Sequence, residues 1–450
     1  MQMKKKSTIV LMVLALLVIL AAGLAVSRKT GSAEAEISTA LSLSVSVEDR
    51  LTVGGRTFEN RDGTWVYEAD PDFPLDQEKL KTMVTTLSSL EANRTLTAPG
   101  ALSRYGLDTP LVTVTVGSTT LSVGAATAMN GGTYFSLGDG AVYISHEDLL
   151  TPFHYDFLEL AAMETAPAME TLESVTLTRS DGTGWTVRNR QGEHLAYSDS
   201  LIWFLDTPGG PQVLDTQLTE ALIRKATDLE FTGCAAFKPT DLSSLGLDSP
   251  TLTVSVRYTA PEEGTYTLNI GAAKSGQYYA QIQGSPTVYW MDAVPVNALR
   301  DSAPETLTPD EVLLLDADTL TAVTVRLAGE TWRFTPKVIP KQSTEAAVDT
   351  TGQTETVWCL DGRETALGDV LTTLTAMSST GSAQSLTPTR ACELEFELET
   401  DDISFPTVTL SFWRYSAETS LVTLNGTSTV LVSRSDAAAL YEAVTAIVLE

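Results

Sequence analysis

The chain repeats itself, and this restricts the folds open to it more than any figure of composition. Fifteen residues from Leu102, Leu-Ser-Arg-Tyr-Gly-Leu-Asp-Thr-Pro-Leu-Val-Thr-Val-Thr-Val, return from Leu242 as Leu-Ser-Ser-Leu-Gly-Leu-Asp-Ser-Pro-Thr-Leu-Thr-Val-Ser-Val, with nine identities. The residues that follow also match. Leu121-Ser-Val-Gly-Ala-Ala parallels Leu268-Asn-Ile-Gly-Ala-Ala, and Gly140-Ala-Val-Tyr parallels Pro286-Thr-Val-Tyr. Self-similarity over such a stretch means that one supersecondary unit is used again.

The motif has a physical explanation that involves no ligand. With Gly106 left-handed at the end of a short helix, Leu107 and Leu102 occupy the two positions that meet in a Schellman cap, and Leu242, Gly246 and Leu247 repeat the arrangement. Asp108 and Asp248 are then placed to accept backbone hydrogen bonds in the turn, while Pro110 and Pro250 stop the helix ahead of an extended run. That run alternates Val112, Val114 and Val116 with threonines, or Leu252, Val254 and Val256 with Thr253 and Ser255. Such alternation predicts strands with one buried face.

A third copy is expected at Pro406-Thr-Val-Thr-Leu-Ser-Phe, without Gly-Leu-Asp before it and with Asn425-Gly426 as the turn of a following hairpin. Upstream of each copy the sequence predicts a hairpin bearing a tryptophan (Trp65, Trp185, Trp332) and then a helix. The helices start at Asp76 (Leu80, Val84, Leu87, Leu90) and Asp215 (Leu218, Leu222, Ile223, Leu229), with a weaker one through Val370, Leu371, Leu374 and Met377. The expected architecture is α+β: three similar units in a row, each a β-hairpin, helix, capped turn, antiparallel meander and short helix, behind one N-terminal transmembrane helix. The boundaries are a stub 1–6, an anchor 7–26, a linker 27–42, and units 43–168, 169–312 and 313–450.

Lys4-Lys5-Lys6 precede an uncharged run of twenty residues, Ser7 to Val26, or about 30 Å of helix, enough to span a bilayer. Lysines on that side favour a cytoplasmic N-terminus and a body outside. A cleaved signal peptide is the rival reading, with Gly23-Leu24-Ala25 a poor cleavage site. All 57 acidic residues lie after Lys29, as do all but five of the 29 basic ones, which leaves the body at −33. Nucleic acid is excluded as a partner by that charge.

Little in the sequence points to chemistry. Cys234, Cys359 and Cys392 form no Cys-x-x-Cys pair, and Cys359 and Cys392 could bridge only if their strands are adjacent. His146, Glu147, Asp148 and His154 form a conceivable metal cluster, yet no His-Glu-x-x-His spacing exists, and His194 stands apart. There is no Gly-x-Ser-x-Gly elbow. Acidic pairs such as Asp401-Asp402 and Glu262-Glu263 sit beside turn residues. The expectation is therefore a non-enzyme with no cofactor, metal or catalytic residue. Trp203, in an apolar insertion without a counterpart in the first unit, is the candidate partner contact, and the polar loop Gln342 to Thr356 is the other large difference between units.

The combination Tyr-Gly-Leu-Asp-x-Pro, alternating strand, Ile/Val-Gly-x-x strand end, Gly-x-Tyr-Tyr/Phe and Val-Tyr resembles the domain-of-unknown-function 4340 family. Residues 105–144 and 245–290 carry two copies of it, and the region from Leu320 is similar only in layout. The resemblance implies bacterial origin, one N-terminal membrane helix, and genes beside those of an ABC-type transporter with a gliding-motility-like auxiliary subunit. It supplies no functional residue. The expected function is a membrane-anchored extracytoplasmic accessory or scaffold protein, associated through a protein partner with an ABC-type transport complex. An extracytoplasmic ligand-binding receptor and a cell-envelope enzyme are the alternatives.

Overall fold

The computed structural model describes residues 41–43, 49–127, 132–193, 198–340, 354–383 and 386–449. They gather into two compact units, and neither is a simple run of chain. The first takes in the chain up to Thr165 together with Phe231–Thr240 and Ser285–Trp290; the second takes in Ala166–Glu230, Asp241–Gly284 and Met291–Glu450.

In the first unit the chain forms β1 (Leu41–Ser42), β2 (Arg50–Val53), β3 (Arg56–Arg61), β4 (Thr64–Tyr67), helix α1 (Gln77–Ser88), β5 (Glu91–Ala92), β6 (Arg94–Leu96), β7 (Val112–Val116), β8 (Thr119–Ala126), β9 (Thr133–Ser136) and β10 (Val142–Ser145). The sheet order is β4-β3-β2-β7-β8-β9-β10-β6. Two meanders thus grow outward from the central β2–β7 pair, and the helix returns the chain to the far edge. Leu51, Phe58, Val114, Leu121 and Phe135 are buried, as are Leu80, Met83 and Leu87 of α1. Each side chain of this kind contributes about 1.5–3 kcal/mol by leaving water. Asp76 starts α1 by accepting from the amides of Glu78 (3.0 Å) and Lys79 (3.3 Å).

The second repeat provides β11 (Thr171–Arg179), β12 (Gly184–Asn189), β13 (Trp203–Thr207), β14 (Gly210–Val213), α2 (Thr216–Thr227), β15 (Phe231–Phe237), β16 (Leu252–Ala260), β17 (Gly264–Lys274), β18 (Gln277–Ile282), β19 (Thr287–Asp292) and α3 (Ala293–Arg300). Within the second unit its strands run β14-β13-β12-β11-β16-β17-β18. The third repeat provides β20 (Leu320–Leu327), β21 (Glu330–Pro340), β22 (Thr354–Leu360), β23 (Arg363–Thr365), α4 (Leu367–Thr375), β24 (Gly381–Ser382), β25 (Cys392–Thr400), β26 (Thr407–Arg414), β27 (Thr419–Leu424), β28 (Thr427–Ser433) and α5 (Arg434–Leu449). Its order, β23-β22-β21-β20-β25-β26-β27-β28-β24, is the same plan in full. One further detail recurs: the amide of Asp76 donates to Leu160 O at 2.8 Å, and that of Asp215 to Leu307 O at 2.7 Å. In both repeats the segment that closes the unit caps the helix it crosses.

These observations correct the expected fold class. The molecule is mostly antiparallel sheet, not a balanced α+β fold, because each repeat devotes its alternating Val/Thr/Ser/Leu segments to strands and to α structure only one crossing helix, joined by a closing helix in the second and third repeats and by a 3₁₀ turn (Phe157–Leu160) in the first. Among the described residues the third repeat shows no capped turn. The anchor at Ser7–Val26 lies outside the described residues, and among those described no helix is long and apolar enough to cross a membrane.

Two equivalences also shift by one strand. Trp65 lies in β4, the third strand from the centre, so its counterparts are Trp203 in β13 and Trp358 in β22. Trp185 and Trp332 lie second from the centre, in β12 and β21, where the first repeat has Phe58. Likewise the partner of the motif strand in the third repeat is β25, with Leu394, Phe396 and Leu398 buried, and Pro406 precedes the strand after it. Asn425 (φ +48°) and Gly426 (φ +80°) do form the tight turn between β27 and β28.

Candidate functional site

The motif residues are absorbed by the fold. Gly106 has φ +69° and Gly246 +68°, each ending a short 3₁₀ helix. The amide of Leu107 donates to Leu102 O at 3.1 Å and that of Leu247 to Leu242 O at 3.0 Å, the long bond of a Schellman cap. Opposite each cap lies the Gly-Ala-Ala of the next strand. A Cβ on Gly106 would stand 2.9 Å from Ala125 N and one on Gly246 2.7 Å from Ala272 N; a Cβ on Gly124 would stand 2.2 Å from Tyr105 O and one on Gly271 2.2 Å from Leu245 O. Four glycines let two backbones touch. Leu107 and Leu247 are buried beneath the caps, and Pro110 and Pro250 lead into β7 and β16. Asp108 and Asp248 are exposed and make no side-chain hydrogen bond among the described residues, so water, not the turn amides, solvates them.

The remaining candidates do not converge. Trp203, the partner contact expected from sequence, is only 4% exposed and sits inside β13 as a core residue. Asp148 accepts from Leu150 N (2.8 Å), Thr151 N (3.3 Å) and Thr151 Oγ1 (2.5 Å). The Thr151 hydroxyl holds this carboxyl below the usual range. Asp148 is thus the cap of a turn, and among the described residues no group of three or more His, Cys, Asp or Glu is placed to hold a metal ion. His194 lies outside the described residues, as do residues 341–353 of the polar loop. Cys359 and Cys392 are free thiols, with strands β21 and β20 between theirs.

The first unit does contain a groove, of about 630 Å³, that the sequence did not reveal. Four stretches of chain meet there: Lys79 on α1, Leu150 to Met163 after the meander, Thr232, Gly233 and Cys234 of β15, and Trp290 of β19. Leu150, Leu158, Ala161 and Met163 make much of the lining apolar, and Met163 is 49% exposed. Lys79 is already engaged, donating to Glu159 O, lying 3.4 Å from Asp76 Oδ2 and 5.7 Å above the Tyr155 ring. His154 and Cys234 share the lining, which is the pair a thiol nucleophile would need. Burial, however, pushes the Cys234 thiol up to about 11, so it is protonated at neutral pH. Thr151, Tyr155, Glu159 and Thr232 also line the groove, which therefore offers both apolar and polar contact.

A family profile described as Domain of unknown function (DUF4340) matches residues 65–200 and, a second time, residues 203–392. The chain belongs to the domain-of-unknown-function 4340 family. Within this family member the two matches begin on Trp65 and Trp203, the same pair that the sheet order makes equivalent. No curated protein and no solved structure matches the chain.

Proposed function

We propose that this family member is an accessory protein of the cell exterior, held at the membrane by its apolar N-terminal run, that binds a protein partner. The observation that carries the reading is the groove of the first unit, where Leu150, Leu158, Ala161 and Met163 offer apolar contact beside a cation that is engaged internally and a thiol that is kept protonated. The acidic body and the Lys4-Lys5-Lys6 flank of the apolar run support the placement outside. The family resemblance directs the search for the partner to an ABC-type transport complex. A receptor for a small molecule is the second reading, since the groove volume lies within the range of ligand pockets.

The test is a photo-crosslinking amino acid at Met163 of the full chain in native membranes. The expected product is one crosslinked protein, recovered repeatedly and identified as a transporter subunit. Crosslinks to no protein, together with a turnover abolished by changing His146 and His154, would replace the accessory reading with an enzyme.

A further inference from the structure

Lys238 follows the last residue of β15 and has φ +47°, in the left-handed region. Pro239 comes next, and a proline pushes the residue before it towards extended backbone. A lysine held left-handed ahead of a proline is strained. The fold does not require this strain. Gly246 stands 140 residues after Gly106, and Lys238-Pro239 stands at the same offset from Ala98-Pro99, yet Ala98 does not have positive φ. What differs is the side chain. The Lys238 ammonium lies 2.9 Å from Asp70 Oδ1 and 3.0 Å from Asp72 Oδ2, and 5.0 Å above the Phe237 ring, which meets Phe73 edge to face.

Strain at one residue and ion pairs between exposed groups are similar in size, so two arrangements of residue 238 lie close in free energy. Because φ turns about the N–Cα bond, a return to negative values swings the side chain off the carboxylates while the amide keeps its bond to Pro286 O, at 2.8 Å. The strand ahead is lightly held: none of its residues is fully buried, and Gly233 adds no side chain to its packing. Its head, Thr232 to Cys234, walls the groove of the first unit beside the Phe157–Leu160 turn. We propose that Lys238 is a releasable clasp on this wall. Clasped between Asp70 and Asp72, it bears the strained backbone and holds β15 on the first unit. Unclasped, residue 238 relaxes to negative φ, as at Ala98, and the head of β15 parts from the Phe157–Leu160 turn, which widens the groove. Ionic strength sets the balance, because salt screens exposed pairs. The device goes beyond the accessory-protein reading and holds whatever the groove receives.

Cys234, inside β15, reports release, and Cys392, a half-buried thiol of the second unit, is its control. Alkylation of both is followed at one pH in the full chain in detergent, by mass spectrometry of the cysteine-bearing peptides. Lys238→Met keeps the stem and removes the charge. Cys234 should then react about tenfold faster, as the open fraction grows, while Cys392 and the amides of Leu80 to Leu87 in α1 keep their rates. Pro239→Ala should act the other way, slowing Cys234 about threefold or more, because it relieves the strain that opposes clasping. A lysine that merely stabilises the unit predicts no such gain. In the unaltered protein, raising sodium chloride from about 0.1 M to about 1 M should speed Cys234, and in Lys238→Met it should not. That comparison stands even if Pro239→Ala folds poorly. The clasp is overturned if Lys238→Met leaves Cys234 unchanged, or speeds Cys392 and the α1 amides equally. It is overturned too if a folded Pro239→Ala chain reacts no more slowly, or if salt acts alike on both chains.

Discussion

At the scale of single residues, glycines separate scaffold from surface. Gly124 and Gly271 lie where a methyl would enter a carbonyl oxygen's radius, and relief requires moving backbone, so alanine at either should destabilise by about 2 kcal/mol or more. Gly106→Ala and Gly246→Ala combine a contact under 3 Å with positive φ, and about 1 kcal/mol or more is expected from each. Gly233→Ala should instead be neutral or stabilising by up to about 1 kcal/mol, since the strand gains a residue it tolerates better. Urea midpoints of the five variants decide this, and a destabilised Gly233→Ala would mean the fold needs that glycine. Cys234 adds a pH signature. Its thiol is raised to about 11 by burial, so its contribution to stability is fully present below the ordinary thiol pKa and is lost as pH rises through the folded value. Alkylation of Cys234 by iodoacetamide should lag behind that of an unhindered peptide thiol at pH 9 and catch up only near pH 11.

At the scale of elements, one plan is drawn three times, and among the described residues the first drawing has one strand fewer. β14 and β23 cover the outer edges of β13 and β22, whereas among the described residues β4 has no such neighbour. Gln77 takes the place of the missing strand: Trp65 N donates to Gln77 Oε1 at 2.8 Å and Gln77 Nε2 donates to Trp65 O at 2.9 Å. Gln77→Ala should therefore cost about 1–2 kcal/mol through two unsatisfied main-chain groups, as read by chemical denaturation, while Gln77→Asn should recover part of it. The repeat, the helix starts at Asp76 and Asp215 and the left-handed glycines were legible in the sequence because each depends on neighbours a few residues apart. The strand equivalences were not. Arg61-Asp-Gly-Thr-Trp and Ser180-Asp-Gly-Thr-Gly-Trp are alike because every tight turn selects Asp and Gly, and one occurs at the second turn of its meander and the other at the first. The groove was also hidden, since it joins Lys79, Met163 and Gly233 from distant stretches. A local signal did exist: Thr232-Gly-Cys-Ala in β15 returns as Thr380-Gly-Ser-Ala at β24.

At the scale of the whole molecule, the first compact unit is discontinuous in sequence. Its core carries Cys234 and Phe237 against it, with the Phe237 and Phe73 rings 5.2 Å apart, edge to face. Lys238 pairs with Asp70 at 2.9 Å and Asp72 at 3.0 Å. Its ammonium holds the Asp70 carboxyl below the usual range, so this contribution is present above the ordinary carboxylate pKa and is lost as pH falls through the lowered one. Its size is modest because both groups are exposed. A chain ended at Thr165 should consequently unfold at lower urea than the first unit does in the full chain, and Lys238→Met in the full chain should flatten the acid side of its stability profile. Equal midpoints for the truncated and full chains would show that the two later segments add nothing. The same discontinuity sets an order of events during synthesis. A chain that emerges from its N-terminus cannot complete its first compact unit until Trp290 has followed, long after Thr165 has appeared. A chain threaded across a membrane would need protection for its open sheet throughout that interval.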